Sequence, residues 1–172
     1  MLESCQVQVR RVRLPQDLPG LRGLVIPGGE STTMGRLLNA SDLLRPLRLA
    51  IDSGLACLTT CAGTILAARR ILDGVPDQVK LDVLDITVRR NAFGRQLESS
   101  EALLDIPAVA GGPVAVAFIR APSIEETGPG VEILASYQGS PAAVRQGRHV
   151  ALTFHPELTG ESRLHRLFLQ GL

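Results

Sequence analysis

The chain has 172 residues, enough for one domain with a buried core, and with no Trp, one Tyr and four Phe that core must be aliphatic. A net charge of +1 gives no reason to expect nucleic acid or an acidic membrane surface as partner, and no apolar stretch approaches the ~20 residues that span a bilayer. Three cysteines without framework spacing, and a start (Met1-Leu-Glu-Ser-Cys5) with neither a basic nor an apolar signal region, point to a reducing, cytoplasmic compartment.

Strand and helix patterns alternate along the chain. Val7, Val9 and Val12 suggest a first strand, broken by Pro15 and Gln16-Asp17. Leu21 to Ile26 is a short apolar strand that stops at Pro27-Gly28-Gly29, where the chain must turn sharply. Ser31 or Thr32 caps a helix through Leu38, and Leu43 to Ile51 reads as another, with Pro46 near its start. Ala56 to Leu58 is a buried strand leading to Cys61, and Ala62 to Leu72 follows as a helix. Val79 to Val88 alternates as a longer strand, and 89–96 is a polar loop. Val114 to Ile119, Val131 to Tyr137, Ala142 to Arg145 and Val150 to Phe154 are short strands. Ser162 to Leu169 closes as a helix with Leu164, Leu167 and Phe168 on one side. The order predicts an α/β fold, a doubly wound, mostly parallel sheet flanked by helices, with antiparallel additions at its edge. No repeat or linker divides it, so residues 1–172 read as a single domain.

The chemistry concentrates at Cys61, in the run Leu58-Thr-Thr-Cys-Ala-Gly63. A thiol between an apolar strand and a small-residue helix start is exposed by the turn and faces helix-start N–H groups that favour its anion. His155 and Glu157, in Phe154-His-Pro-Glu, supply the other groups: an imidazole to move the proton, and a carboxylate to hold its tautomer. Residues two apart on a strand face the same side, so both can serve one site. Singly, each element has a plainer reading. A lone cysteine is usually a small core residue, the class in which Cys5 and Cys57 are placed. Gly28-Gly29-Glu30-Ser31 can be a turn and an N-cap, and His149, His165 and Arg166 read as surface residues. Cys57, Cys61, His149 and His155 do not have the spacing of a zinc site, and no metal or cofactor is expected.

Five runs occur in order: Pro27-Gly-Gly-Glu-Ser-Thr-Thr-Met34, Thr60-Cys-Ala-Gly63, Arg90-Asn-Ala-Phe-Gly-Arg-Gln96, Phe118-Ile-Arg-Ala-Pro122 and Phe154-His-Pro-Glu-Leu-Thr159. In these the chain resembles the glutaminase subunits of pyridoxal 5′-phosphate synthase, which are class I (triad) glutamine amidotransferases of flavodoxin-like architecture. The resemblance extends from about Val9 to Leu169. It implies that Cys61 attacks the side-chain amide of glutamine, that His155 is base and then acid, and that Glu157 orients it. It implies an oxyanion hole from the backbone N–H groups of Gly29 and Ala62. Gly29, Glu30, Ser31, Arg90, Ile119 and Arg120 would bind L-glutamine, the arginines suiting its carboxylate. Ammonia would pass to a separate synthase subunit, a large double-ring core around which the glutaminase subunits dock. The rival readings are a non-catalytic docking partner and another triad amidotransferase.

Three departures from that family stand out. Its members open with an apolar strand, an Ala-Leu-Gln-Gly-like turn and a helix. Here Met1 to Ser4 resembles only the tail of that helix, so a start placed downstream, or a shortened protein, is expected. Thr59 stands where the family has glycine, two residues before the nucleophile, and crowding of the turn is expected. Lys80-Leu-Asp-Val-Leu84 lacks a glycine-rich approach, a change that a strand would tolerate.

Overall fold

The computed structural model describes residues 1–90, 92 and 99–172; apart from Arg90 and Ala92, the run from Arg90 to Gln96 therefore lies outside the described residues. The strands are β1 (Gly23–Ile26), β2 (Ala56–Thr60), β3 (Ala68–Ile71), β4 (Leu84–Arg89), β5 (Ser99–Leu104), β6 (Val114–Ile119), β7 (Ser123–Thr127), β8 (Glu132–Tyr137), β9 (Ser140–Gln146) and β10 (His149–Leu152). The helices are α1 (Ser31–Ala40), α2 (Leu44–Asp52), α3 (Ala62–Ala67) and α4 (Arg163–Gln170), with short 3-10 turns at Glu3–Cys5, Pro15–Asp17 and Pro156–Thr159.

A five-stranded sheet in the order β1-β2-β10-β9-β8 forms the centre. Its first three strands are parallel, and β9 and β8 are added antiparallel at one edge. Every residue of β2 is buried. Ala56 and Leu58 face a cluster containing Phe154 and Phe168, and Cys57 faces the opposite cluster with Leu47, Ile51 and Leu66. A strand apolar on both sides is the mark of a sheet covered on both faces. Helix α2 covers one of them with Leu47 and Ile51, four residues apart and so on one stripe. The β3-β4-β7 and β5-β6 sheets complete the strands, β5 and β7 being two that the sequence pattern did not separate from loop.

Several expectations are corrected. Residues 7–13 form no strand, because none of the described residues offers them a ladder; Val7 and Val9 stay exposed. A groove of about 830 Å³ lies between residues 7–10 and β1, whose outer edge pairs with no strand among the described residues. The helix after Cys61 ends at Ala67, not Leu72: Ala68 turns extended and β3 pairs in parallel with β4. No glycine or proline marks that switch in the sequence; it is made by pairing, which overrides helix propensity. Residues 79–83 lie outside β4, and Asp82 takes φ 57°, a left-handed conformation that Asp tolerates better than most residues where glycine would be free. Cys5 sits half-buried in the first 3-10 turn rather than in the core.

Thr59 has a hydrogen-bonded place beside α3. Fully buried, its hydroxyl lies 3.0 Å from that of Thr64, which in turn donates to the Leu152 carbonyl at 2.7 Å. Since a carbonyl can only accept, Thr59 is the donor to Thr64. The same Leu152 carbonyl accepts the Cys61 N–H at 2.9 Å, so one oxygen of β10 ties the start of α3 to the end of β2. Thr64→Val would leave the Thr59 hydroxyl buried without an acceptor. It is expected to lower unfolding stability by about 1–3 kcal/mol, read as a reduced urea midpoint at unchanged slope. An unchanged midpoint would refute this account of Thr59.

Candidate active site

Strands β1, β2 and β10 end level with one another: Ile26 pairs with Thr59, and Leu152 with Thr60. In an open α/β sheet the crevice beyond such carboxyl ends is where ligands bind. The three segments that leave these ends are Pro27–Glu30, Cys61 with α3, and Thr153–Glu157. Their close packing requires glycine at two places. A Cβ on Gly63 would lie 2.1 Å from the Ile26 carbonyl oxygen, so only glycine lets α3 start beside the end of β1. A Cβ on Gly28 would lie 2.3 Å from Cε1 of His155, so the imidazole rests directly on the glycine backbone. The N–H of Gly28 donates to the Thr60 hydroxyl at 3.0 Å, which fixes the turn to the strand that delivers the nucleophile.

Cys61 occupies φ 47°, ψ −109°, an unusual conformation for a side-chain-bearing residue, costing on the order of 1–3 kcal/mol. Its N–H bond to Leu152, and the bonds that its own carbonyl accepts from Thr64 and Ile65, hold it there. Cys61 is 7% exposed, its thiol donates toward the Ile119 carbonyl at 3.8 Å, and its sulfur is near enough to His155 to be the largest influence raising the imidazole pKa.

His155 lies beyond the end of β10. Its N–H donates to Ala117 of β6 at 2.8 Å, and Pro156 then starts a 3-10 turn that carries Glu157. The strand expected through Phe154 thus stops at Leu152, and the turn rather than strand alternation brings Glu157 to His155. Imidazole Nδ1 and carboxylate Oε1 are 2.7 Å apart. An ionised carboxylate only accepts, so Nδ1 carries the proton and Nε2 is left for the sulfur. Interaction with the Cys61 sulfur and then the bond with Glu157 push the His155 pKa up to about 9 against an opposing burial effect. For Glu157, burial pushes the carboxyl up, but the bond from His155 and neighbouring contacts leave it below its ordinary value.

A cavity of about 400 Å³ opens in front of the sulfur. Gly29, Glu30, Ser31, Cys61, Ala62, Arg90, Ile119, Arg120 and His155 all line it, so the structure brings together every site residue named from the sequence except Glu157. Glu157 stands behind the imidazole and lines a second hollow, shared with Thr60 and His165. Arg120 is presented at φ 43° by the turn after β6. The Arg90 side chain is only 14% exposed; it donates to Gln78 Oε1 at 3.0 Å and reaches Thr32 Oγ1 at 3.2 Å and Glu30 Oε1 at 3.3 Å.

The cap of α1 is Glu30 rather than Ser31 or Thr32. Its carboxylate accepts the N–H groups of Thr32 (2.9 Å) and Thr33 (2.7 Å), which with the Thr33 hydroxyl lower its pKa to about 2. Ser31 becomes the first, buried residue of the helix. His165 is buried rather than a surface residue, and His149 is half-buried; burial lowers the pKa of both. Arg166 is exposed as expected. Cys57 packs into the apolar cluster, where burial pushes its thiol up to about 12. Sequence reasoning missed Thr60, Gln78 and Ile65 around the site. Ile65 alone carried a signal, being one helical turn after Cys61.

Known proteins resemble this chain along its whole length. The profile of the SNO glutamine amidotransferase family matches residues 1–172. A protein named pyridoxal 5′-phosphate synthase subunit PdxT from Frankia alni is 55% identical over 168 residues, covering 98% of this chain and 84% of that protein. One of the same name from Thermotoga maritima is 52% identical over 169 residues, covering 98% of this chain and 89% of that protein. A crystal structure described as a glutamine amidotransferase superposes with a TM-score of 0.92 at 43% identity, over 99% of this chain and 89% of the other. With the family profile matched from end to end and half or more of its residues shared with such relatives, the chain belongs to the SNO glutamine amidotransferase family.

Proposed function

We propose that the chain, acting as one glutamine amidotransferase domain in the cytoplasm, hydrolyses L-glutamine to L-glutamate and ammonia. The ammonia is delivered to a synthase subunit that makes pyridoxal 5′-phosphate. The observation that carries this reading is Cys61 beside a His155–Glu157 pair 2.7 Å apart, at the wall of a cavity that also holds Arg90 and Arg120.

Each step follows from these positions. The sulfur of Cys61, its proton on His155, attacks the side-chain carbonyl carbon of glutamine. The oxygen becomes an oxyanion facing the backbone N–H groups of Gly29 and Ala62. His155 returns the proton to the nitrogen, the C–N bond breaks and ammonia leaves a γ-glutamyl thioester. Water, losing a proton to His155, attacks the thioester carbon, and the C–S bond breaks to give glutamate and restore Cys61. Arg90 and Arg120 offer cationic N–H groups to the substrate's α-carboxylate throughout.

The test is glutamate release from L-glutamine by the whole chain, with and without the synthase subunit. Turnover that appears or rises with the synthase supports the reading. A folded chain inactive under both conditions overturns catalysis and leaves a docking role.

Glu157→Gln gives a pH signature. The Glu157 bond is the second cause of the raised His155 value, so its loss moves the alkaline limb of kcat/KM downward from about 9. The rate near neutrality falls by about 10²–10⁴-fold, since the imidazole loses its tautomer and orientation. The same shift acts on stability: a histidine raised from 6.5 to about 9 contributes fully below 6.5 and loses that contribution as pH rises through 9. An alkaline limb unmoved in the variant would refute the role given to Glu157.

A further inference from the structure

Arg90 leaves the end of β4, and its guanidinium is held by two different parts of the chain. Nη2 is held by α1, through Glu30 Oε1 and Thr32 Oγ1. Nη1 is held by Gln78, in the loop between β3 and β4, through Oε1 at 3.0 Å. That loop grips the Arg90 backbone as well: Asp73 Oδ1 accepts its N–H at 2.7 Å. The loop itself is anchored, since the Gln78 N–H donates to the Val75 carbonyl at 3.1 Å. Val79 also presses on α1 so closely that a Cβ on Gly35 would lie 2.7 Å from its own.

We infer that Gln78 is a positioning residue for glutamine binding, fixing the plane of the Arg90 guanidinium. This rests on the reading that Arg90 receives the substrate's α-carboxylate. The Glu30 carboxylate is already committed to the first N–H groups of α1 and meets Arg90 at only 3.3 Å, so it cannot orient the fork alone. Gln78 supplies the shorter contact, on the other terminal nitrogen. Both Nη2 hydrogens and one on Nη1 are then used; the other Nη1–H and Nε–H remain, on different edges of the plane, so the direction in which a single N–H reaches a carboxylate is set by how the plane is held. A neutral amide holds the fork without adding a second negative charge to that of Glu30.

The experiment compares Gln78→Leu, Gln78→Glu and Arg90→Gln in glutamate release with the synthase present. Direct titration of L-glutamine onto each change in a Cys61→Ala background accompanies it. Gln78→Leu is expected to raise KM and Kd about tenfold with kcat within about twofold, as for a lost contact shared by ground and transition states. Gln78→Glu, which restores an acceptor but adds a negative charge beside the guanidinium, recovers both only in part, to values between those of Gln78→Leu and the parent. Arg90→Gln raises both more than Gln78→Leu does. Arg90→Gln raising Kd while Gln78→Leu does not would overturn the positioning role and leave the function standing. If Arg90→Gln leaves Kd unchanged, the Arg90 assignment and the Gln78 role both fall. A Gln78→Leu protein that melts early and loses kcat along with KM would show a merely structural residue, and would also overturn the inference.

Discussion

Replacing Cys61 by serine is expected to remove glutaminase turnover, by about 10⁵-fold or more, with little change in fold or stability. Serine keeps the size of the side chain in a site only 7% exposed, and it meets the same backbone demand at φ 47° as the cysteine does. What it changes is the nucleophile. A hydroxyl holds its proton far more tightly than a thiol, and the pair with His155 can then no longer place the proton on the imidazole. The comparison is glutamate release by parent and variant in the presence of the synthase, alongside thermal melting. Turnover within about 100-fold of the parent would remove Cys61 from the mechanism, because a true nucleophile contributes far more than that.

Gly28→Ala is expected to lower kcat by about 10²–10⁴-fold, an effect carried by a methyl group on a residue with no chemistry of its own. The new Cβ would lie 2.3 Å from Cε1, 3.1 Å from Nε2 and 3.2 Å from Nδ1 of His155, well inside contact distance of a rigid ring. The imidazole cannot yield toward Glu157, whose carboxylate is already 2.7 Å from Nδ1, so it must rotate out of line with the sulfur or push the turn away. Either movement takes the ring away from the Cys61 sulfur, the largest influence raising the His155 value, so the alkaline limb of kcat/KM moves down as well. The variant should fold, since Gly28 lies in a partly exposed turn outside the core clusters. A kcat within about threefold of the parent would show that the turn yields without moving the imidazole, and would refute the close packing as a requirement.

The two variants separate what was legible in the chain from what was not. Cys61 could be named from its surroundings, an apolar run before it and small helix-forming residues after it, because strand-turn-helix patterns are local. Gly28 could be read only as a turn glycine; that His155, 127 positions away, lies on its backbone is a fact of the folded sheet. Glu30 shows the same boundary inside a single motif. The Ser31-Thr32 pair invited a hydroxyl cap, but the carboxylate one residue earlier reaches two N–H groups at once and takes the position.

By itself the sequence determined most of the alternation of strands and helices, the mainly aliphatic core, Cys61 as the candidate nucleophile and, through five short runs, the family, because these rest on periodicity and on contiguous residues. Only the tertiary structure decided where ladders exist. Residues 7–13 have strand-like composition but no partner strand among the described residues, while 68–71 follow directly from a helix and pair with β4. A strand is made by its neighbour, whereas a helix closes its hydrogen bonds within itself, so pairing is the information that a linear reading lacks. For the same reason Thr60, Gln78 and the shared carbonyl of Leu152 entered the site only with the fold: each acts on a residue brought near it by the sheet or by the loop between β3 and β4.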